Sequence, residues 1–252
     1  MSPVIEYRRV HRDDSLSMGY LKHIYNTTYQ ELFPDPEDRE SWDQWMHYLD
    51  KAADDNFFIL AGQKMNDAES AVIHGFIIGS YFRESQTGLV CYIGVDKNCR
   101  SGGVATGLID TLVHAMEDYA QSRGSLLKGL FAEANDPDQI AADEDSLPPA
   151  VRLKIYHRWK ALQVPVAYSF PCVQSPWRKD GFMLLLSLPV YGDYAEPQDV
   201  IGMIADYYRA ANIEPETDSD FIRQRQEIEA WRGYISLAPY DPQPSAKTVL
   251  CA

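Results

Sequence analysis

The sequence predicts an α/β fold: a mixed, mostly antiparallel twisted sheet with a central strand–helix–strand unit, followed by a C-terminal helical extension. Three observations predict it. Three strand-like runs, FFILAGQ (57–63), AVIHGFIIGSYF (71–82) and GLVCYIGV (88–95), are separated by the turn-rich NDAES and RESQTG, the rhythm of an antiparallel meander. A helix-period stretch then leads to another apolar run, LLKGLFAEAN (126–135), which makes a strand–helix–strand unit with parallel or nearly parallel strands. Beyond Tyr191 the composition shifts, with eight acids against the single base Arg209 between Asp193 and Asp220.

The remaining elements follow in order. VIEYRRV (4–10) reads as a first strand, and Ser15 as the N-cap of a helix through about Tyr29, with Met18, Leu21, Ile24 and Tyr25 on one face. FPDPEDRE punctuates the chain before a second helix, about Glu37 to Lys51, that spaces Trp42, Trp45 and Tyr48 helically. The helix after the meander, Gly103 to about Gln121, stripes Val104, Leu108, Leu112, Val113 and Met116. An acidic loop, NDPDQIAADEDSLPP, precedes a helix from about Ala150 to Gln163 that buries Val151, Ile155, Trp159 and Leu162. Strands at VPVAYSF (164–170) and FMLLLSLPV (182–190) complete the sheet. Two helices, about 197–211 and 217–232, and a Pro-rich tail make up an extension (191–252) to a first domain of residues 1–190.

Composition narrows the function. Hydrophobic residues are 45% of the 252, ample for a core. No run approaches the roughly 20 apolar residues of a membrane span, and the charged start MSPVIEYRRVHRDD lacks the apolar region of a secretory signal. A net charge of −14 and a pI near 4.8 argue against nucleic acid, which needs a basic surface; Arg8, Arg9 and Arg12 read as a solvated strand end. Such acidity favours approach of cationic small molecules or basic peptides. Cys91, Cys99, Cys172 and Cys251 show no CxxC spacing, so they read as reduced thiols of a cytoplasmic protein. The six histidines are scattered, and no metal is expected.

One turn invites an anion. In VDKNCRSGGVATGL (95–108) the glycines allow a sharp bend with unobstructed amides, the helix start offers unpaired N–H groups, and Arg100 adds a fixed charge. A Walker A loop is excluded because no Lys follows Gly103, and a dinucleotide fingerprint does not follow an antiparallel meander. A turn without any ligand remains the alternative.

The segment IGVDKNCRSGGVATGLIDTLVHAM resembles the acetyl-CoA-binding motif of the GNAT superfamily of N-acetyltransferases. Its pattern, R/Q-x-x-G-x-G/A, is met by Arg100, Gly103 and Ala105, and the strand order around it is similar to that fold over roughly residues 3–190. The resemblance implies a CoA pyrophosphate held by the backbone of Arg100, Ser101, Gly102, Gly103, Val104 and Ala105. It implies a pantetheine arm paired with Ile93, Gly94 and Val95, a thioester carbonyl polarised at the Val95 amide, and a further pantetheine contact from Asn135. Tyr156, in IYHRWKAL, matches the family tyrosine that protonates the departing thiolate; otherwise it is a packing residue beside Ile155 and Trp159. Lys160 and Ala161 depart from the family's usual Gly-Phe, which puts the turn after that helix in question.

The base is less marked. The fourth strand, GLVCYIGV, lacks the glutamate many members carry there. Glu133, two residues before Asn135 and so on the same face, is the candidate, with a surface or paired role as its alternative. Neither Cys91 nor Cys99 has a convincing His partner, so direct attack by the amine in a ternary complex is preferred to a cysteine intermediate. Phe33, Trp42 and Trp45, with Asp35, Glu37, Asp38, Asp136, Asp138, Asp143, Glu144 and Asp145, could wall a site for a cationic amine, or the acids could be solvated loops. The expected function is acetyl transfer from acetyl-CoA to a primary amine of a small cationic molecule. A non-catalytic acyl-CoA sensor and a protein lysine or N-terminal acetyltransferase stay open. So do three roles for the extension: a cover on the substrate side, a homodimer arm, or a brace at the sheet edge.

Overall fold

A computed structural model describes residues 4–34, 36, 39–50, 55–67, 69–100, 102–139, 147–171, 179–180, 183–190, 192, 194–236 and 238–239. The first half of the chain runs β1 (Glu6–Arg9), α1 (Ser15–Ile24), a π-helical turn (Tyr25–Tyr29), α2 (Gln30–Leu32), α3 (Trp42–Asp50), β2 (Asn56–Gln63), β3 (Val72–Phe82), β4 (Thr87–Val95) and α4 (Val104–Ser122). The second half runs β5 (Gly129–Asn135), α5 (Pro149–Arg158), β6 (Leu162–Gln163), β7 (Phe170–Pro171), β8 (Lys179–Asp180), β9 (Met183–Leu188), β10 (Tyr194–Ala195), α6 (Pro197–Ala210), α7 (Ser219–Glu229), β11 (Ile235–Ser236) and β12 (Ala238–Pro239). No described helix is long and apolar enough to cross a membrane.

The main sheet has eight strands in the order β1-β2-β3-β4-β5-β9-β6-β12. Its pairings are antiparallel except β4 with β5, which are parallel across the α4 crossover. Partners across a ladder share a face, so the register assigns every side chain to a side. One face, here the α4 face, is filled by Phe57, Ile77, Val90, Leu130, Ala132 and Leu186 beneath α4 and α5. The opposite face carries two separate apolar roofs. Over β2, β3 and β4, α1 and α3 cover Phe58, Leu60, Phe76, Ile78 and Tyr92. Over β4, β5 and β9, α6 and α7 cover Leu89, Phe131 and Leu185. The extension thus shares a core with the sheet, and β12 adds to its edge by pairing with β6. Asp206 of α6 fixes the contact: the buried carboxylate accepts the Ser85 amide at 3.0 Å and Arg209 Nη1 at 2.8 Å.

Several boundaries moved, for local reasons. Asp14, not Ser15, caps α1, accepting the amides of Leu16 and Ser17. The second helix begins at Trp42 rather than Glu37, because Ser41 Oγ accepts the Gln44 amide while the Glu40 backbone is held by Tyr29 and Tyr25 outside the helix. The strand expected at 164–170 shrinks to two-residue pieces at its edges, since side chains of α7 bond its backbone in place of a neighbouring strand. After α5, Lys160 takes φ 59°. Its amide donates to the His157 carbonyl and the Ala161 amide to that of Tyr156. This is a Schellman closure with a lysine where glycine is unstrained, so the turn keeps its shape despite the Gly-Phe departure.

Candidate active site

β4 ends at Val95, and Asp96 accepts the Asn98 amide at 2.8 Å to start a single 3₁₀ turn, Lys97–Cys99. Arg100 follows, exposed and extended. Gly103 occupies the N-cap of α4 with φ 76°, in the left-handed region that glycine alone enters freely. Having no side chain, it leaves the first amides of the helix, those of Val104 and Ala105, uncapped, and these stand at the positive end of a 19-residue helix dipole. The helix lies close on the sheet: a β-carbon at Gly107 would come within 2.0 Å of the Tyr7 hydroxyl. Trp159 Nε1 donates to Thr106 Oγ1 at 3.2 Å, tying the end of α5 to this helix start.

A slot leads from that turn into the sheet. Parallel pairing runs from Thr87–Gly129 to Val90–Ala132 and stops, beside a bulge at Cys91 where β3 pairs Ile78 with Tyr92 but Gly79 with Val90. Beyond it, β5 pairs only with β9 through Asn135–Met183, so β4 and β5 diverge. The Asp96 amide donates to the His74 carbonyl at 2.8 Å. Because antiparallel bonding alternates along a strand, Gly94 and Tyr92 also turn their backbone to β3, while Ile93 and Val95 present N–H and C=O to the gap. On the α4 face of this gap the Tyr156 hydroxyl lies 3.5 Å from the Glu133 carbonyl. Burial pushes that phenol up to about 12, with Arg152 pulling it down and Glu133 adding to the rise.

The other side of the gap is built from side chains. The bulge places Cys91 and Tyr92 on one face, and a polar strip separates the two roofs there: Ser80 Oγ donates to Asn56 Oδ1 at 2.8 Å and lies 3.7 Å from Cys91 Sγ. Glu133 pairs with Leu185 across β5 and β9 and so points to this same face. Tyr168 donates to Glu133 Oε1 at 2.6 Å. From the α3 side, Tyr48 donates to Glu40 Oε1 at 2.7 Å. Tyr207 of α6 completes the wall, its ring stacked on Phe170 at 6.2 Å and Phe170 on Tyr168 at 6.0 Å. Burial first, then Glu133, Cys91 and Glu40, raise the Tyr207 phenol far above its ordinary value. Cys91 is accessible to solvent, yet burial, followed by Glu40 and Glu133, pushes its thiol up to about 12. These side chains frame a candidate acceptor cleft around the solvent-touched thiol, where the two roofs meet. At neutral pH that thiol is protonated, which removes it as a nucleophile.

A family model described as the acetyltransferase (GNAT) family matches residues 18–142. This chain belongs to the GNAT family of acetyltransferases. Among solved structures, it is similar to a protein described as a GNAT-family acetyltransferase of Bacteroides thetaiotaomicron, at 14% identity and a TM-score of 0.54, over 82% of this chain and 97% of that one. It also aligns with Arabidopsis thaliana NAA60 in complex with acetyl-CoA, at 15% identity and TM-score 0.46, over 75% and 100% of the two chains. The ribosomal-protein-S18-alanine N-acetyltransferase of Escherichia coli aligns at 13% identity and TM-score 0.43, over 75% and 97%. No curated protein matches the sequence significantly. The GNAT fold accounts for the sheet; the family match ends before α5, β9 and the extension.

In this GNAT acetyltransferase the residues expected on the CoA side fall together. Arg100, Gly102, Gly103, Val104 and Ala105 form the turn and helix start, Ile93 and Val95 edge the slot, and Asn135 ends its far strand; Gly94 instead bonds β3. Ser101 lies outside the described residues. On the amine side the correspondence is poorer. Trp45 is fully buried among Tyr25, Tyr29, Phe58 and Phe76 and cannot wall a site. The Trp42 ring is covered by Lys22 Nζ at 3.9 Å. Phe33 packs on Tyr29 and Tyr92. Asp136 and Asp138 sit in a turn after β5, where Asp136 accepts the Asp138 amide; Asp35, Glu37, Asp38, Asp143, Glu144 and Asp145 lie outside the described residues. The cleft wall that sequence reading missed comprises Glu40, Tyr48, Tyr168 and Tyr207. Their one legible signal was the closeness in sequence of Glu40 and Tyr48 in ESWDQWMHY, with Glu40 just before the helix that carries Tyr48.

Proposed function

We propose that this enzyme transfers an acetyl group from acetyl-CoA to a primary amine of a small molecule that carries further positive charge. The observation that carries this reading is the convergence of Tyr48, Tyr168 and Tyr207 with Glu133 and Glu40 around Cys91, beside the gap between β4 and β5 that adjoins the uncapped α4 start and Arg100. Pyrophosphate fits the amides of residues 102–105, and pantetheine fits the backbone edge of Ile93 and Val95. The Ile93 amide, two residues nearer the apex of the gap than Val95 and so nearer Tyr156 and Glu133, is the better oxyanion donor; such a donor is worth about 3 kcal/mol.

Each proton then has a place to go. Glu133, ionised, takes a proton from the ammonium directly or through one water, and the free amine attacks the thioester carbon. The C–S bond breaks as the tetrahedral adduct collapses, the thiolate receives the Tyr156 proton from the opposite face, and the second proton shed by the adduct nitrogen returns through water to the Tyr156 phenolate. Glu40 balances the acceptor's second charge, and the tyrosines, held protonated, supply donors and ring faces for a cation. The protonated Cys91 favours direct transfer over an acyl-cysteine. Free thiols at Cys91 and Cys99 support a cytoplasmic setting.

The test is release of CoA thiol over a panel of diamines, amino sugars, amino acids and basic peptides. Turnover concentrated in small dicationic amines is expected. Turnover confined to peptides would replace the small-molecule reading with a protein acceptor. Acetyl-CoA binding without turnover on any amine would favour a sensor.

A further inference from the structure

The extension does more than roof the sheet. Gln224 of α7 is fully buried and brackets one residue of the segment that failed to become a strand. The Ser169 amide donates to Gln224 Oε1 at 3.1 Å, and Gln224 Nε2 donates to the Ser169 carbonyl at 3.0 Å. Tyr208 of α6 donates to that carbonyl at 3.0 Å and accepts from Gln224 Nε2 at 3.3 Å. Two residues earlier, the Ala167 amide donates to the Glu227 carboxylate at 3.2 Å. Between these anchors stands Tyr168, 4% exposed, whose hydroxyl donates to Glu133. A buried side-chain amide is tolerated only when its bonds are made. Here every bond goes to the backbone that aims Tyr168 or to the Tyr208 hydroxyl beside it.

We propose that Gln224 is a positioning residue for acetyl transfer: through Ser169 it holds the Tyr168 hydroxyl on Glu133, so that the extension sets the state of the base without touching substrate. This rests on the reading of Glu133 as the base. The groups that face Glu133 are Tyr168 from the 164–170 segment, Cys91 from β4 and Tyr207 from α6; across the sheet its charge also reaches Tyr156 of α5, on which Arg152 acts, and Glu40 acts on the same Cys91 and Tyr207. A hydroxyl donating to a carboxylate favours its ionised form, so losing that bond raises the pH at which Glu133 becomes a base.

The experiment is the pH dependence of kcat, with both substrates saturating, for the wild type, Glu133→Gln, Tyr168→Phe, Gln224→Ala and the Tyr168→Phe/Gln224→Ala double variant, each with its thermal midpoint. Tyr168→Phe is expected to move the acid limb up by about one pH unit. Gln224→Ala is expected to move it in the same direction, and the double variant no further than Tyr168→Phe. A folded Gln224→Ala that loses only thermal stability, or shifts that add in the double variant, overturns the proposal. Should Gln224→Ala not fold, Tyr208→Phe, which deletes one hydroxyl of the network, takes its place under the same criteria. Glu133→Gln separates the two levels: an acid limb unchanged in that variant sinks the base assignment itself, whereas a lost limb with Gln224→Ala unshifted sinks only the positioning role.

Discussion

The two sides of the gap between β4 and β5 are made of different material. The α4 side is backbone: amides at a helix start, strand edges at Ile93 and Val95, one arginine and one phenol. The opposite side is side chains drawn from five distant segments: Glu40 and Tyr48 around α3, Cys91 on β4, Glu133 on β5, Tyr168 before β7, and Tyr207 on α6. A shared cosubstrate can be met by a fixed backbone frame, whereas an acceptor is met by side chains, which can change without disturbing the sheet. The difference also reconciles the proposed diphosphate site with an acidic chain. Local amides and the helix dipole act at contact distance, while the net charge of −14 is spread over the surface and screened within about 10 Å.

That contrast can be broken from the side-chain direction first. Glu133→Gln should lower kcat about 10²–10⁴-fold at neutral pH while acetyl-CoA affinity stays within a factor of two or so. Tyr156→Phe comes next, with kcat down about 10²-fold and CoA binding again unchanged. Because burial holds the phenol near 12, it stays protonated to about that pH, and wild-type kcat should show no basic limb from this group below roughly pH 11. Stopped-flow or steady-state thiol release checks both. On the backbone side, Arg100→Ala with Gly103→Asp should weaken CoA binding by about tenfold or more, because it removes a charge-assisted bond and places a strained anion at the helix start. Calorimetric titration with CoA reads this, and normal affinity would move the phosphate site elsewhere.

The smallest effect concerns the turn that carries Tyr156. Lys160 holds a left-handed conformation that costs an L-residue about 1–2 kcal/mol. Lys160→Gly should therefore stabilise the protein by about 0.5–1 kcal/mol after the entropy of glycine is counted. Urea midpoints at constant m-value would show it, and kcat should not change.

The sheet and the glycine turn before α4 were legible because their signals are local. Alternation in β2, β3 and β4 and the glycines after Arg100 report within a few residues what the backbone does. The face on which Glu133 lies was legible through strand period alone, two residues from Asn135. Trp45 misled because helical spacing gives the face a residue lies on, not whether that face is core or cavity. Tyr168 was hidden for a different reason: VPVAYSF has the pattern of a strand, and nothing nearby shows that Gln224 and Glu227, some 55 and 60 residues later, bond its backbone in place of a strand neighbour. Tyr207 was hidden in the same way, as one apolar position on an amphipathic helix.

The most direct test compares two acceptors of one skeleton, a linear diaminoalkane and the amino alcohol in which one ammonium is replaced by a hydroxyl. We expect kcat/KM to favour the diamine by at least about tenfold at low ionic strength, one unit of free energy near 1.4 kcal/mol, and the preference to collapse in Glu40→Gln. Equal rates for the two acceptors, or a preference that survives Glu40→Gln, would contradict a cleft built for a dicationic amine.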